Sequence, residues 1–475
     1  MVRWVLAGLV GSAGVGSALA ADDVADALRT PHNDWSIFAG VEHDSNATRT
    51  PSGASDEIGN VGGTVSVFHQ TERFTGSLNG AAAYDDYVHN TVSSRSYVNA
   101  AASASYAFVP EVFKWVVSDV TGPVVQVPGQ PITPNNYINA NVFSTGPELA
   151  LPITANGVLS LDAAYGISDF RSVNYANDHT VTGKVAWTEH LSATAEASVN
   201  ADYSRVDYQL SGAATFDLRD AYLRYAARDK RQGIELDAGV SASSGGGLSS
   251  TGPLFRARLY RAITPSLSID LKVDTRQQSS GMNAQGLLSQ SVVINGVPTP
   301  VFPGAPTGIP GLNVGEALLA ATVFRYDTAS VNVNYSRPRT EVGASWLEGR
   351  GRSPYGATAA NTDRDDASGN VFIRRRVTPS VSFNADAYYQ KYQPLNALFV
   401  GQVIKTEQVG VNWQTGAQFA LRMLVEHQNW QSSAAGGSFS DNLVYFGVVY
   451  GPPRHFHPVG FANPATRTLA PIPGI

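Results

Sequence analysis

Ser266-Leu267-Ser268-Ile269-Asp270-Leu271-Lys272-Val273-Asp274-Thr275-Arg276-Gln277 alternates: Leu267, Ile269, Leu271 and Val273 are apolar, and Ser268, Asp270, Lys272 and Asp274 between them are polar or ionised. Successive side chains of an extended strand point to opposite faces, so this stretch has one apolar and one charged face. The same period of two returns at Ala195 to Tyr203, Val331 to Ser336, Val381 to Tyr388 and Gln408 to Trp413. Convincing helical period is scarce.

Turn signals space these segments. Breaks fall at Gln70-Thr71-Glu72, Val109-Pro110, Ile153-Thr154, His190-Leu191, Asp229-Lys230, Thr264-Pro265, Pro338-Arg339, Thr378-Pro379 and Thr415-Gly416. Most are roughly 35–45 residues apart, room for two strands and one longer loop. Short turns on one side and long loops on the other predict about 20 strands, with 18 next, since weak segments can fuse. The last strand is expected over Ser438 to Gly451.

Composition chooses between a soluble sandwich and a membrane barrel. The 475 residues are 43% apolar but only 15% charged, with 45 Gly and no Cys. Mean hydropathy is −0.11, so the polar surface is made of Ser, Thr, Asn, Gln and Gly. That excludes a charge-rich disordered chain, a coiled coil and a disulfide scaffold. With 33 basic against 39 acidic residues, no nucleic-acid stripe is expected. A sandwich would have to protect several sheet edges, whereas one closed antiparallel transmembrane β-barrel satisfies every backbone group, with lipid outside and water inside. The fold class expected is therefore all-β, with Trp35, Trp187, Trp346, Trp413, Trp430 and Tyr445 as candidates for the interfacial girdles.

The ends read as processing and tail segments. Arg3, the apolar run Trp4 to Val15 and Ala18-Leu19-Ala20 form a secretory signal peptide, residues 1–20, whose removal takes the formal charge from −6 to −7. A short periplasmic segment (21–33), the outer-membrane barrel (34–451) and a Pro-rich periplasmic tail (452–475) follow. So short an N-terminal segment leaves no room for the plug of an energy-coupled transporter.

Inward-facing charges are expected at Arg224, Arg256, Arg258, Lys272, Arg374 and Arg422. Opposing them are Asp162, Glu196, Glu235, Asp237, Asp270, Asp274, Asp386 and Glu426. They either brace a wide, watery lumen as ion pairs or form a selectivity band. Arg256 and Arg258 lie on the strand hairpinned to Asp270 and Asp274, which favours mutual pairing. Two long loops lack charge altogether. Gln277 to Gly315 carries Pro298, Pro300, Pro303, Pro306 and Pro310, and is expected to fold into or over the pore mouth; Thr121 to Pro147 is the other. Glu316 to Ala321 reads as a helical turn.

Catalytic motifs are absent. There is no H-E-x-x-H and no G-x-S-x-G, and the nine His have no Cys partner, so no enzyme, no cofactor and no metal site are expected. His455-Phe456-His457 and Asp363-Arg364-Asp365-Asp366 could meet a metal ion but read better as incidental, solvated groups.

Local sequence adds a resemblance. Gly40-Val41-Glu42-His43-Asp44-Ser45-Asn46 with Arg49-Thr50-Pro51 resembles the first hairpin of the beta-barrel porin 2 group, outer-membrane barrels associated with exopolysaccharide synthesis and export. Pro131 to Asn136 and Asn141 to Pro147 are similar to related barrels of exosortase and exopolysaccharide systems. Tyr445-Phe446-Gly447-Val448-Val449-Tyr450 resembles the ending read by the barrel-assembly machinery, although the Pro-rich tail follows it. What the resemblance implies is a channel exporting an extracellular polysaccharide, partnered with a polysaccharide co-polymerase and export protein and set among lipid and lipopolysaccharide. A general diffusion or sugar-uptake porin is the alternative, and a non-conducting structural or adhesion barrel the third.

Overall fold

The computed structural model describes residues 32–125, 136–171, 176–209, 215–229, 231–279, 292–294, 297–299, 323–353, 363–395, 401–432 and 437–451. The signal peptide, most of the 280–322 loop with Glu316 to Ala321, Asn135 and the Pro-rich tail lie outside them.

The first half of the wall is β1 (His32–Asp44), β2 (Asp56–Gln70), β3 (Phe74–Tyr87), β4 (Arg95–Val109), β5 (Phe113–Val125), β6 (Tyr137–Pro152), β7 (Gly157–Phe170), β8 (Asp178–Ser192), β9 (Ala195–Tyr208) and β10 (Thr215–Arg228). The second half is β11 (Gln232–Gly245), β12 (Leu248–Thr264), β13 (Leu267–Ser279), β16 (Val323–Arg337), β17 (Thr340–Arg352), β18 (Arg364–Arg376), β19 (Val381–Pro394), β20 (Gln402–Gln414), β21 (Phe419–Ser432) and β22 (Phe439–Tyr450). A small separate hairpin, β14 (Val292–Ile294) and β15 (Val297–Thr299), lies between β13 and β16.

Each wall strand pairs antiparallel with its neighbours in sequence, and β22 returns to β1, with Ile37 opposite Tyr450 and Asp44 opposite Leu443. The sheet is a closed 20-stranded antiparallel barrel. Closure leaves no edge strand and pairs the backbone polar groups that hydrocarbon could not solvate. At the seam the Tyr445 ring lies over Gly40 and Gly447, where a Cβ would strike it.

The alternation read in the sequence is the alternation of exposure. Val199, Leu223, Leu259, Leu271, Val371 and Val409 project outward and are exposed, while Asn200, Tyr222, Tyr260, Asn370 and Gln408 between them are buried inside. That outer band is the face a bilayer covers. Its short-turn end carries aromatic residues: Trp35 and Phe419 flank Tyr450 at 5.8 and 4.9 Å, and Phe108 stacks on Phe113 at 5.4 Å. Trp430 and Tyr445 do not join a girdle. Each is 1% exposed on the inner face, because it shares the parity of Leu424 and Leu443, not that of lipid-facing Met423 and Val444.

Nine connections of two to four residues close one end, and all nine breaks expected from sequence fall at them; the break at His190-Leu191 sits in the last residues of β8, which carries a bulge there. The other end is not uniformly long-looped. β11 and β12 are joined by Gly246-Gly247 alone, at φ +57° and +78°, a left-handed pair that a two-residue hairpin needs and glycine adopts without strain.

Candidate functional site

The functional surface of such a barrel is its inner face, and here it divides into three walls. Along β10 to β13 the expected lumen residues Arg224, Arg256, Arg258, Asp270, Lys272 and Asp274 all fall inside. Arg258 makes a two-pronged pair with Asp270, Nε to Oδ1 at 3.0 Å and Nη2 to Oδ2 at 2.8 Å, with Lys272 4.0 Å from the same carboxylate. Arg256 departs from the pairing expected. It meets Asp237 of β11 at 2.8 Å and lies over the Tyr222 ring at 4.7 Å, while Asp274 pairs with Arg276 of its own strand at 3.5 Å. Asp237 and Asp274 both stand opposite Arg256 in register, so strand order alone could not choose between them. Arg224 sits 3.5 Å from Glu235 and 3.8 Å from Asp237, and Arg228 also pairs with Glu235. This wall is a ladder of mutually neutralising charges.

The wall from β18 to β20 is different. Phe372, Asn370, Ser382, Asn384, Asp386, Tyr388, Gln390, Tyr392, Gln402, Thr406, Gln408 and Asn412 face inward and are buried. Amides, hydroxyls and aromatic rings dominate. Arg374 lies 4.8 Å over the Phe372 ring and 3.5 Å from Glu341 of β17. Gln408 keeps 1% exposure, and neither its Nε2 nor its Oε1 has a partner among the described residues. On the neighbouring strands β21 and β22, Trp430 stacks on Phe439 at 5.7 Å. The inner face is also not polar throughout: Val120, Val124, Ile138, Ala140, Val142 and Phe170 form an apolar cluster at the long-loop ends of β5 to β7.

The third wall is the seam, β21, β22, β1, β2 and β3. Glu426, already expected inside, is joined by Glu42, Asp44, Asp85 and Asp441. Arg49, from the turn after β1, reaches in among them: Nη2 lies 3.8 Å from Asp44 and 3.7 Å from Asp441, and Nη1 donates to Gln428 at 3.2 Å. Its φ of +52° is left-handed, an uncommon setting for arginine, held by Asn46, whose carbonyl accepts the Arg49 N–H at 2.8 Å. Asn60 donates to Asp85. Glu42 is buried beside Asp44, Asp85 and Glu426 with no hydrogen bond to the described residues. Arg422, also inward, lies four residues along β21 from Glu426, beside Tyr445. Sequence reasoning missed the seam group, although Glu42 and Asp44 share the parity opposite to Ile37, Ala39 and Val41, which is the signal that could have found them.

Of the loop prolines, Pro298 lies in β15, paired with Val293, while Pro300, Pro303, Pro306 and Pro310 lie outside the described residues. The β14–β15 hairpin leaves the wall between β13 and β16 yet lies against β2 and β3, about halfway round the ring.

Among the described residues no helix is long and apolar enough to span a bilayer. The chain is a bacterial outer-membrane β-barrel. No family model and no curated protein matches it. Among solved structures it is similar to the FrpB iron transporter from Neisseria meningitidis (F5-1 variant), at 10% identity over 90% of this chain and 84% of that one, TM-score 0.44. It is also similar to OccAB4 of Acinetobacter baumannii, at 7% identity over 89% and 99% with TM-score 0.36. The outer membrane protein opdK from Pseudomonas aeruginosa aligns at 8% identity over 89% and 98%, TM-score 0.37. The barrel itself is defined by its strand pairing.

Proposed function

We propose that this barrel is a conduit for an uncharged, hydroxyl-rich solute, and that the solute is an extracellular polysaccharide on its way out of the cell. The observation that carries this is the β18–β20 wall. A sugar polymer offers hydroxyls to amides and ring faces to tyrosines, and Gln408 holds an amide donor and acceptor with no partner among the described residues. The ladder of Arg224, Arg256, Arg258, Asp237 and Asp270 satisfies its own charges and leaves little net field to hold an ion in transit. The outward direction follows the resemblance in Gly40 to Asn46 and Arg49 to Pro51.

The test is deletion of the chain followed by measurement of secreted polysaccharide. Export predicts its loss and recovery on complementation; unchanged secretion overturns the reading. Proteoliposome uptake of neutral oligosaccharides supplies the second arm. Uptake together with unchanged secretion makes the barrel a diffusion porin, and no permeation of any solute makes it a structural wall.

A further inference from the structure

At the long-loop rim, three side chains from two elements converge. Asp56 opens β2, Glu57 follows it, and His89 sits in the turn after β3. His89 Nδ1 lies 3.1 Å from Asp56 Oδ1 and 3.0 Å from Glu57 Oε2, and the three donor atoms are all within 4.8 Å of one another. Across the β1–β2 pairing, His43 stands opposite Glu57 in register, and its Nδ1 lies 3.2 Å from the other oxygen, Oε1.

The geometry points to a divalent transition-metal site, of the kind that takes Zn2+, built from His89 Nδ1, Glu57 Oε2 and Asp56 Oδ1, with His43 as the residue that positions Glu57. Several features argue for it. One imidazole nitrogen carries at most one proton, yet two carboxylate oxygens approach it at hydrogen-bond distance from different residues; a cation between them satisfies both. The donor set of one nitrogen and two carboxylate oxygens suits zinc better than calcium, which takes oxygen alone. Ligand atoms about 2.0–2.2 Å from a tetrahedral ion stand roughly 3.4 Å apart, and His89 Nδ1 lies 3.1 and 3.0 Å from the two carboxylate oxygens.

The site is also held in place without the ion. Asp56 is fully buried, and accepts the His89 N–H at 2.8 Å, the Thr91 N–H at 3.2 Å and the Thr91 hydroxyl at 2.6 Å. The Val88 N–H donates to the Glu57 carbonyl at 2.9 Å, and Asn90, at φ +55°, turns the chain so that His89 faces β2. The approach is open, because His89 is 60% and Glu57 52% exposed. A bound ion would tie the β3–β4 turn to the first hairpin. Asp44 of the seam stands opposite Asp56 in register, whereas the β18–β20 wall lies several strands away round the ring, so the site stands or falls independently of what the barrel conducts.

The test uses the tag-free, full-length protein folded in detergent micelles, titrated with Zn2+ against a competing chelator, with Co2+ absorption reporting nitrogen and oxygen coordination. One saturable site per chain is expected. E57Q, nearly isosteric, and H89A should each weaken it at least about tenfold, while H43A acts more mildly through the lost orientation of Glu57. Two controls should bind as the parent does: H190A, at the His190–Glu196 pair of the opposite end, and H455A/H457A in the tail. Retained folding is checked by gel mobility, and E57Q decides the matter if H89A does not assemble. Parent-like binding in E57Q, loss in either control, or no saturable site would overturn the assignment.

Discussion

The β10–β13 wall and the seam wall use the same residue types to opposite ends. On the first, each arginine has a carboxylate on an adjacent strand or two residues along its own, as Arg258 has Asp270 and Arg276 has Asp274. On the second, Glu42, Asp44, Glu426 and Asp441 gather around Arg49, a single guanidinium supplied by a turn. The difference teaches that charge in a barrel interior can brace by local pairing or by convergence. Local pairing spreads the cost of losing one member over several neighbours. Convergence makes one residue indispensable, because low-dielectric surroundings leave the remaining charges unscreened.

The sharpest way to break the comparison is R49A. It should cost about 3 kcal/mol, the scale for stranding buried charges, read from urea unfolding followed by gel mobility. Unchanged stability would show that the seam carboxylates do not depend on Arg49. On the paired wall, R258A should cost less, about 2 kcal/mol, because Lys272 stays beside Asp270, and R258M/D270L should recover part of it, since only Lys272 then loses its carboxylate. A double variant as weak as the single one would deny that the ladder is self-neutralising. A smaller effect is expected on the neutral wall. Q408L should stabilise by about 1 kcal/mol, because it removes a buried amide without partners, while lowering passage of oligosaccharide in the liposome assay. Destabilisation would mean that the amide is already satisfied.

The smallest effect lies outside both walls, in the β10–β11 turn. There Asp229 accepts the backbone N–H groups of Arg231 at 2.7 Å and Gln232 at 2.9 Å. These bonds hold its carboxyl below the usual carboxylate range. A depressed folded value means that the turn's extra stability is complete above the unfolded pKa and fades as pH falls through the folded one. Amide exchange at Arg231 and Gln232 should therefore quicken in acid, and D229N should remove that dependence. A pH-independent exchange ratio between the two proteins would refute it.

Much of the barrel was legible because its rules are local. Alternation in Leu267 to Asp274 assigns each side chain to lipid or interior from parity alone, and the nine short turns are marked by Pro, Gly, Asp and Thr at the bends. Trp430 and Tyr445 were misassigned because aromatic character was weighed ahead of parity. The interior was legible residue by residue but not pair by pair. Arg256 had an acid opposite it on both flanking strands, and the choice of Asp237 depends on side-chain reach and on the Tyr222 ring beneath it. The rim group of Asp56, Glu57 and His89 had no spacing motif to betray it, because its ligands come from one strand and from a turn some thirty residues later.

By itself, then, the order of residues determined that the chain is a transmembrane barrel of about this strand number, since period, turn chemistry and sparse charge act within a dozen residues of one another. Tertiary closure decided which charges meet. Asp44 and Asp441 are almost four hundred residues apart in sequence, and only the pairing of β22 with β1 brings them beneath Arg49. Likewise, only the fold carries the β14–β15 hairpin to the far wall. The physical reason is that backbone hydrogen bonding and burial parity are local rules, whereas an ion pair depends on which strands the closed ring makes neighbours.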